Sequence, residues 1–191
     1  MTSHNTPQHM PINWKYTTIL FRTIYLLLLA WYASNGMLNI VIVCLVPYLV
    51  TLPLLFFAKK NKAYYTLDTT IMLIFLINTS VFLTDYYDKE PYILGFDKLL
   101  HALSGAWLAG FAAVTTRKYI TNNTIFFIGM IIFAIAIGGT WEVFEWIFSL
   151  LPEGINIASK GYADSMQDII AVSIGSIITT TWIKLRNDLL G

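Results

Sequence analysis

The stretch TIFFIGMIIFAIAIGGTWEVFEWIFS, Thr124 to Ser149, decides the fold. From Thr124 to Trp141 it holds no charged side chain, and then Glu142 and Glu145 arrive within one turn of each other. About 20 apolar residues rising ~1.5 Å each cross ~30 Å of hydrocarbon. The segment therefore predicts a membrane span that ends in two carboxylates. Outward from it, five more stretches have the same length and character. They run approximately from Tyr16 to Ser34, Met37 to Phe57, Thr66 to Thr84, Lys98 to Thr115 and Ser165 to Ile183. The first is too long for the ~7 to 15-residue apolar region of a cleaved leader, so it too reads as a span.

Composition agrees. Of 191 residues 57% are hydrophobic and 12% charged, against roughly 45 to 50% and about 25% in a soluble domain. Such a chain cannot cover itself with polar surface. Because lipid offers no partner to an open backbone, the expected fold class is all-α, a polytopic integral membrane bundle of six transmembrane helices. Residues 1–15, with His4 and His9, read as a flexible cytoplasmic tail, and 16–191 as a single six-helix domain. The lone cysteine, Cys44, rules out an intrachain disulfide, and a net charge of +1 gives no nucleic-acid footprint.

Charge also orients the bundle, since Lys and Arg beside short loops stay in the cytoplasm. Nine of the 12 fall on one side: Lys15, Arg22, Lys59, Lys60, Lys62, Arg117, Lys118, Lys184 and Arg186. Lys89, Lys98 and Lys160 lie opposite. Both termini are expected in the cytoplasm. Trp31, Trp141 and Trp146 near one boundary and Trp14 and Trp182 near the other fit interfacial belts. Gly105, Ala109 and Ala113, then Ala134 and Gly138, then Ala171, Gly175 and Thr179 form small-residue stripes on spans four, five and six. Small residues four apart let backbones approach closely in lipid, so these three spans should form a tight core, with span two facing lipid.

The acids supply independent information. Nine of the 11 lie at the outer end: Asp85, Asp88, Glu90, Asp97, Glu142, Glu145, Glu153, Asp164 and Asp168. Glu142, 18 residues after Thr124, is ~27 Å along its helix, and His101 is about one turn deep in an inward-running one. Asp97 and His101 are i,i+4, Glu142 and Glu145 i,i+3, and Asp164 and Asp168 i,i+4, so each pair shares a helix face. Facing inward is the cheaper arrangement, because a carboxylate in lipid costs several kcal/mol. Arg22 and Asp68, near the inner boundary, are expected to snorkel or to pair.

Three stretches carry a resemblance: Phe96-Asp97-Lys98-Leu99-Leu100-His101, Trp141-Glu142-Val143-Phe144-Glu145-Trp146, and Gly161-Tyr162-Ala163-Asp164-Ser165-Met166-Gln167-Asp168-Ile169. They are similar to the YjdF-like bacterial inner-membrane family and, more distantly, to VanZ-like proteins. In that family an Asp-basic-x-x-His element opens one helix, Glu-x-x-Glu closes the next and Asp-x-x-x-Asp begins the last. Lys98 stands where Arg is commoner, and Ala163 and Gly161 stand where a Trp and a further acid are expected. The resemblance implies a multi-pass protein of the inner membrane and names no reaction.

Three readings of the polar residues stay open: helix fastening by mutual neutralisation, a proton or solute pathway, and a metal site. One imidazole with several carboxylates suits a divalent ion such as Mg, Mn, Fe or Zn. The metal reading takes His101, Glu142, Glu145 and Asp168 as ligands, Asp164 as base or supporting group, and Lys98 as holder of a phosphate or carboxylate. Facing the outer leaflet, such a site suits membrane lipids or a lipid-linked amphiphile as substrate, in a hydrolase or transferase. The rivals are a proton-coupled carrier or sensor and a non-catalytic scaffold. A His-Glu-x-x-His helix and a Walker loop are absent from the sequence. Ser104, one turn from His101, lies on a packing stripe rather than a strained elbow. Tyr86, Tyr87, Tyr92 and Phe96 read as interface anchors rather than a ligand cage, with the lining of an entrance for an amphiphile as the alternative.

Overall fold

The structure, a computed structural model, describes residues 13–58, 63–81, 96–150 and 161–186. Six helices are present among them: α1 (Trp14–Ser34), α2 (Leu38–Ala58), α3 (Ala63–Val81), α4 (Phe96–Thr116), α5 (Asn123–Ser149) and α6 (Tyr162–Leu185). Lys59, Lys60, Lys62, Asp85, Asp88, Lys89, Glu90, Glu153, Lys160, Asp188, Tyr86, Tyr87, Tyr92 and residues 1–12 lie outside the described residues.

Five of the six, all but α3, are long and apolar enough to cross a membrane. In α3, Asp68, Thr69 and Thr79 dilute the hydropathy, and all three are buried inside the bundle. Their polarity therefore faces protein. Meanwhile Leu27, Val50, Ile132, Ile174 and Ile178 stand exposed on the other helices, an arrangement suited to lipid as the surrounding solvent.

The bundle has two halves. In the first, α3 packs against α1 and α2, around Tyr25, Leu29, Cys44, Tyr48, Leu54, Ile71, Met72 and Ile74. The turn from α1 into α2 needs a left-handed residue, and Gly36 supplies it at φ 77°. Met37 N–H then donates to the Tyr32 carbonyl at 3.0 Å, closing the helix end. Across this half Arg22 and Asp68 pair, both buried. Arg22 Nε donates to Asp68 Oδ2 at 2.9 Å and Nη2 to the Thr51 carbonyl at 3.0 Å. The Tyr48 ring lies 5.0 Å from the guanidinium. The pair thus ties α1, α2 and α3 together.

In the second half α4, α5 and α6 all pack on one another. Ala109, Ala112 and Ala113 of α4 let Phe126 and Met130 of α5 and Ile183 of α6 close in. The halves join where Trp107 Nε1 donates to the Leu67 carbonyl at 2.7 Å.

Candidate functional site

The site begins with two glycines. A Cβ on Gly105 of α4 would fall on the Val172 carbonyl of α6, and one on Gly175 of α6 on the Ala102 carbonyl of α4. Only glycine allows backbones this near, as expected where packing rather than the hydrophobic effect joins helices in lipid. The Val172 side chain also sits against Gly138 of α5, where a Cβ would lie 2.9 Å from it. Val172 therefore marks the three-helix junction. One turn earlier on α6 is Asp168, and one turn before Gly105 on α4 is His101, so the crossing sets their side chains face to face. The approach to α6 turns at Gly161, whose φ of 100° suits glycine. Its carbonyl accepts from Asp164 N–H at 3.0 Å, placing that acid in the first turn.

Lys98 is surrounded by acids. Its Nζ donates to Asp164 Oδ1 and Asp168 Oδ1, each at 2.6 Å, and to Asp97 Oδ2 at 3.0 Å. One ammonium thus faces three carboxylates. His101 lies deeper, with Nε2 at 3.6 Å from both Asp97 Oδ1 and Asp168 Oδ1. Its Nδ1 is 3.8 Å from Glu142 Oε1. These separations are long for hydrogen bonds. They are close to the ~3.4 Å between two ligands ~2.1 Å from one ion at a tetrahedral angle. Asp97, His101 and Asp168 each offer a donor atom within 4.8 Å of the others, the one such trio among the described residues. Asp168 is 1% exposed and Glu142 6%. Glu142 Oε1 has no hydrogen-bond partner among the described residues.

A family model described as a predicted membrane protein, DUF2238, matches residues 17–188. The chain belongs to this family. No curated protein and no solved structure matches it.

In this DUF2238 protein the structure gathers Lys98, His101, Asp164 and Asp168 around one point, with Glu142 behind the imidazole. It does not bring Glu145 into the trio. The carboxylate of Glu145 instead accepts from Trp141 Nε1 at 2.6 Å on its own helix. Glu142 likewise stands outside the trio, facing the far nitrogen of His101. Asp97, which the sequence reading does not name among the candidate ligands, stands in the trio with His101 and Asp168. The signal for it is the i,i+4 spacing to His101, which by itself reads only as a shared helix face.

Proposed function

We propose that this DUF2238 protein spans the bacterial inner membrane six times, with both termini in the cytoplasm, and carries a divalent-metal site at its extracytoplasmic end. The nine-to-three bias of basic residues supports the orientation. Burial of the polar residues of α3 supports the sixth span, and the resemblance to YjdF-like proteins supports the membrane assigned. The site would serve hydrolysis or group transfer on a lipid or lipid-linked substrate reached from the outer leaflet.

The single observation that carries the reading is His101 Nε2 standing equidistant, at 3.6 Å, from two carboxylate oxygens on two helices. Asp97, His101 and Asp168 would hold the ion. Two carboxylates and one imidazole suit Mn, Fe or Zn better than Mg, which prefers oxygen alone. When bound, such an ion polarises a phosphoryl or carbonyl oxygen. Glu142, whose Oε1 stands 3.8 Å from His101 Nδ1, would fix the ring by accepting from its N–H when the ion is held, the usual role of a carboxylate behind a metal histidine. Asp164 anchors Lys98 at the mouth.

The test is thermal melting of the purified protein. Chelator should lower the midpoint and added Mn or Zn restore it, since an ion at a hundred times its Kd adds about 2.7 kcal/mol. Unchanged melting in chelator would contradict the reading. A second reading draws on the Lys98 clamp, which by itself ties α4 to α6. If fastening is its whole role, Lys98→Met unfolds the bundle and chelator has no effect.

A further inference from the structure

Lys98, which the metal reading casts as the group that holds an anionic substrate, has its ammonium saturated by three carboxylates. In that state the cluster repels an anion. Two of those three carboxylates are also donors of the metal trio, and Asp168 Oδ1 is shared outright: it lies 2.6 Å from Lys98 Nζ and 3.6 Å from His101 Nε2. An ammonium and a dication cannot both keep this oxygen, because like charges this close repel strongly in a low-dielectric site. Asp164, the third partner, is outside the trio, so it can retain the ammonium after the other two are taken.

We propose that metal and a phosphate-type oxyanion bind in order at this site: the dication displaces Lys98 from Asp97 and Asp168, and the released ammonium, held by Asp164 alone, then binds the anion. The inference rests on the metal reading and adds the substrate class and the sequence of binding. The displacement moves no covalent bond. Neutralisation of Asp97 and Asp168 removes the repulsion that excludes the anion, and Lys98 becomes a donor with free N–H groups. Glu142, aimed at His101 with an unpartnered oxygen, keeps the imidazole on the metal side while Lys98 moves. The side chain of Lys98, 22% exposed, has an open direction in which to turn, whereas that of Asp168, at 2%, has none.

The experiment is calorimetric titration of the full chain in detergent with Mn2+, with inorganic phosphate and with each in the presence of the other. Phosphate should bind about tenfold more tightly with Mn2+ present and should tighten Mn2+ by the same factor, as linkage requires. Lys98→Met should tighten Mn2+ by about tenfold without phosphate and abolish the coupling, while Lys98→Arg, which keeps the charge, should retain it. A parallel arm in nanodiscs, with and without phosphatidic acid, separates a lipid phosphate from a free one; metal-dependent binding of either supports the order. Mn2+ binding indifferent to phosphate in the wild type overturns the inference without needing a folded variant. Coupling that survives in Lys98→Met overturns it equally. A wild type that binds no Mn2+ overturns the metal reading as well, so the two failures are distinguishable.

Discussion

A carboxylate oxygen buried without a hydrogen bond costs free energy unless it serves a neighbour. Glu142 Oε1 is such an atom, and the neighbour it faces is the Nδ1 of His101. If it orients that ring, Glu142→Gln should weaken metal affinity roughly 10 to 100-fold while leaving melting in chelator near the wild-type value. A direct ligand such as Asp168 should lose far more. Calorimetric titration of the two variants separates the roles. In the other half, Asp68→Asn leaves the Arg22 guanidinium buried without its counter-charge and should cost about 3–5 kcal/mol of stability. The double variant Arg22→Met, Asp68→Leu should recover much of that in a detergent unfolding titration. The pairing of Arg22 and Asp68 was one of the two outcomes their positions allowed. Asp97 was harder to read: a carboxylate in the first turn of a helix is commonplace beside the helix dipole, so its spacing from His101 did not mark it as a member of the trio.

Helix packing explains why the site has its shape. Gly105 and Gly175 each meet a facing backbone carbonyl, which cannot yield as a side chain can. Gly105→Ala and Gly175→Ala should therefore destabilise by the upper end of the ~1–3 kcal/mol typical of overpacking, or more. Gly129, on α5, has nothing within 4 Å of an added Cβ, so Gly129→Ala should be neutral or stabilising by about 0.5–1 kcal/mol. Melting shifts of the three variants in detergent check the contrast, and equal shifts would refute the close crossing. The stripes were legible as residues four apart, and so was the union of α4, α5 and α6. What the spacing could not give was which glycines meet backbone and which meet open space, because that depends on the crossing point. The α3 helix was legible in length, but the burial of Asp68, Thr69 and Thr79 that makes it compatible with a membrane depends on partners on α1 and α2.

For the whole molecule, the bias of basic residues implies an orientation. Reporter fusions after Lys62, Lys118 and Gly191 should report cytoplasm, and those after Glu90 and Glu153 the outside, as the basic bias requires. An outward reading after Lys118 would turn the site to the other face. The gathering of polar groups at one depth was visible in the alternation of helix directions; that Asp97, His101 and Asp168 form the trio while Glu142 and Glu145 stand outside it was not, since all five sit within one or two turns of the same level. The central claim is that Asp97, His101 and Asp168 hold one divalent ion. Elemental analysis of the purified wild type beside His101→Ala and Asp168→Asn tests it most directly. The account predicts about one equivalent of Mn, Fe or Zn in the wild type and close to none in either folded variant; a metal-free wild type, or variants that retain the full complement, would contradict it.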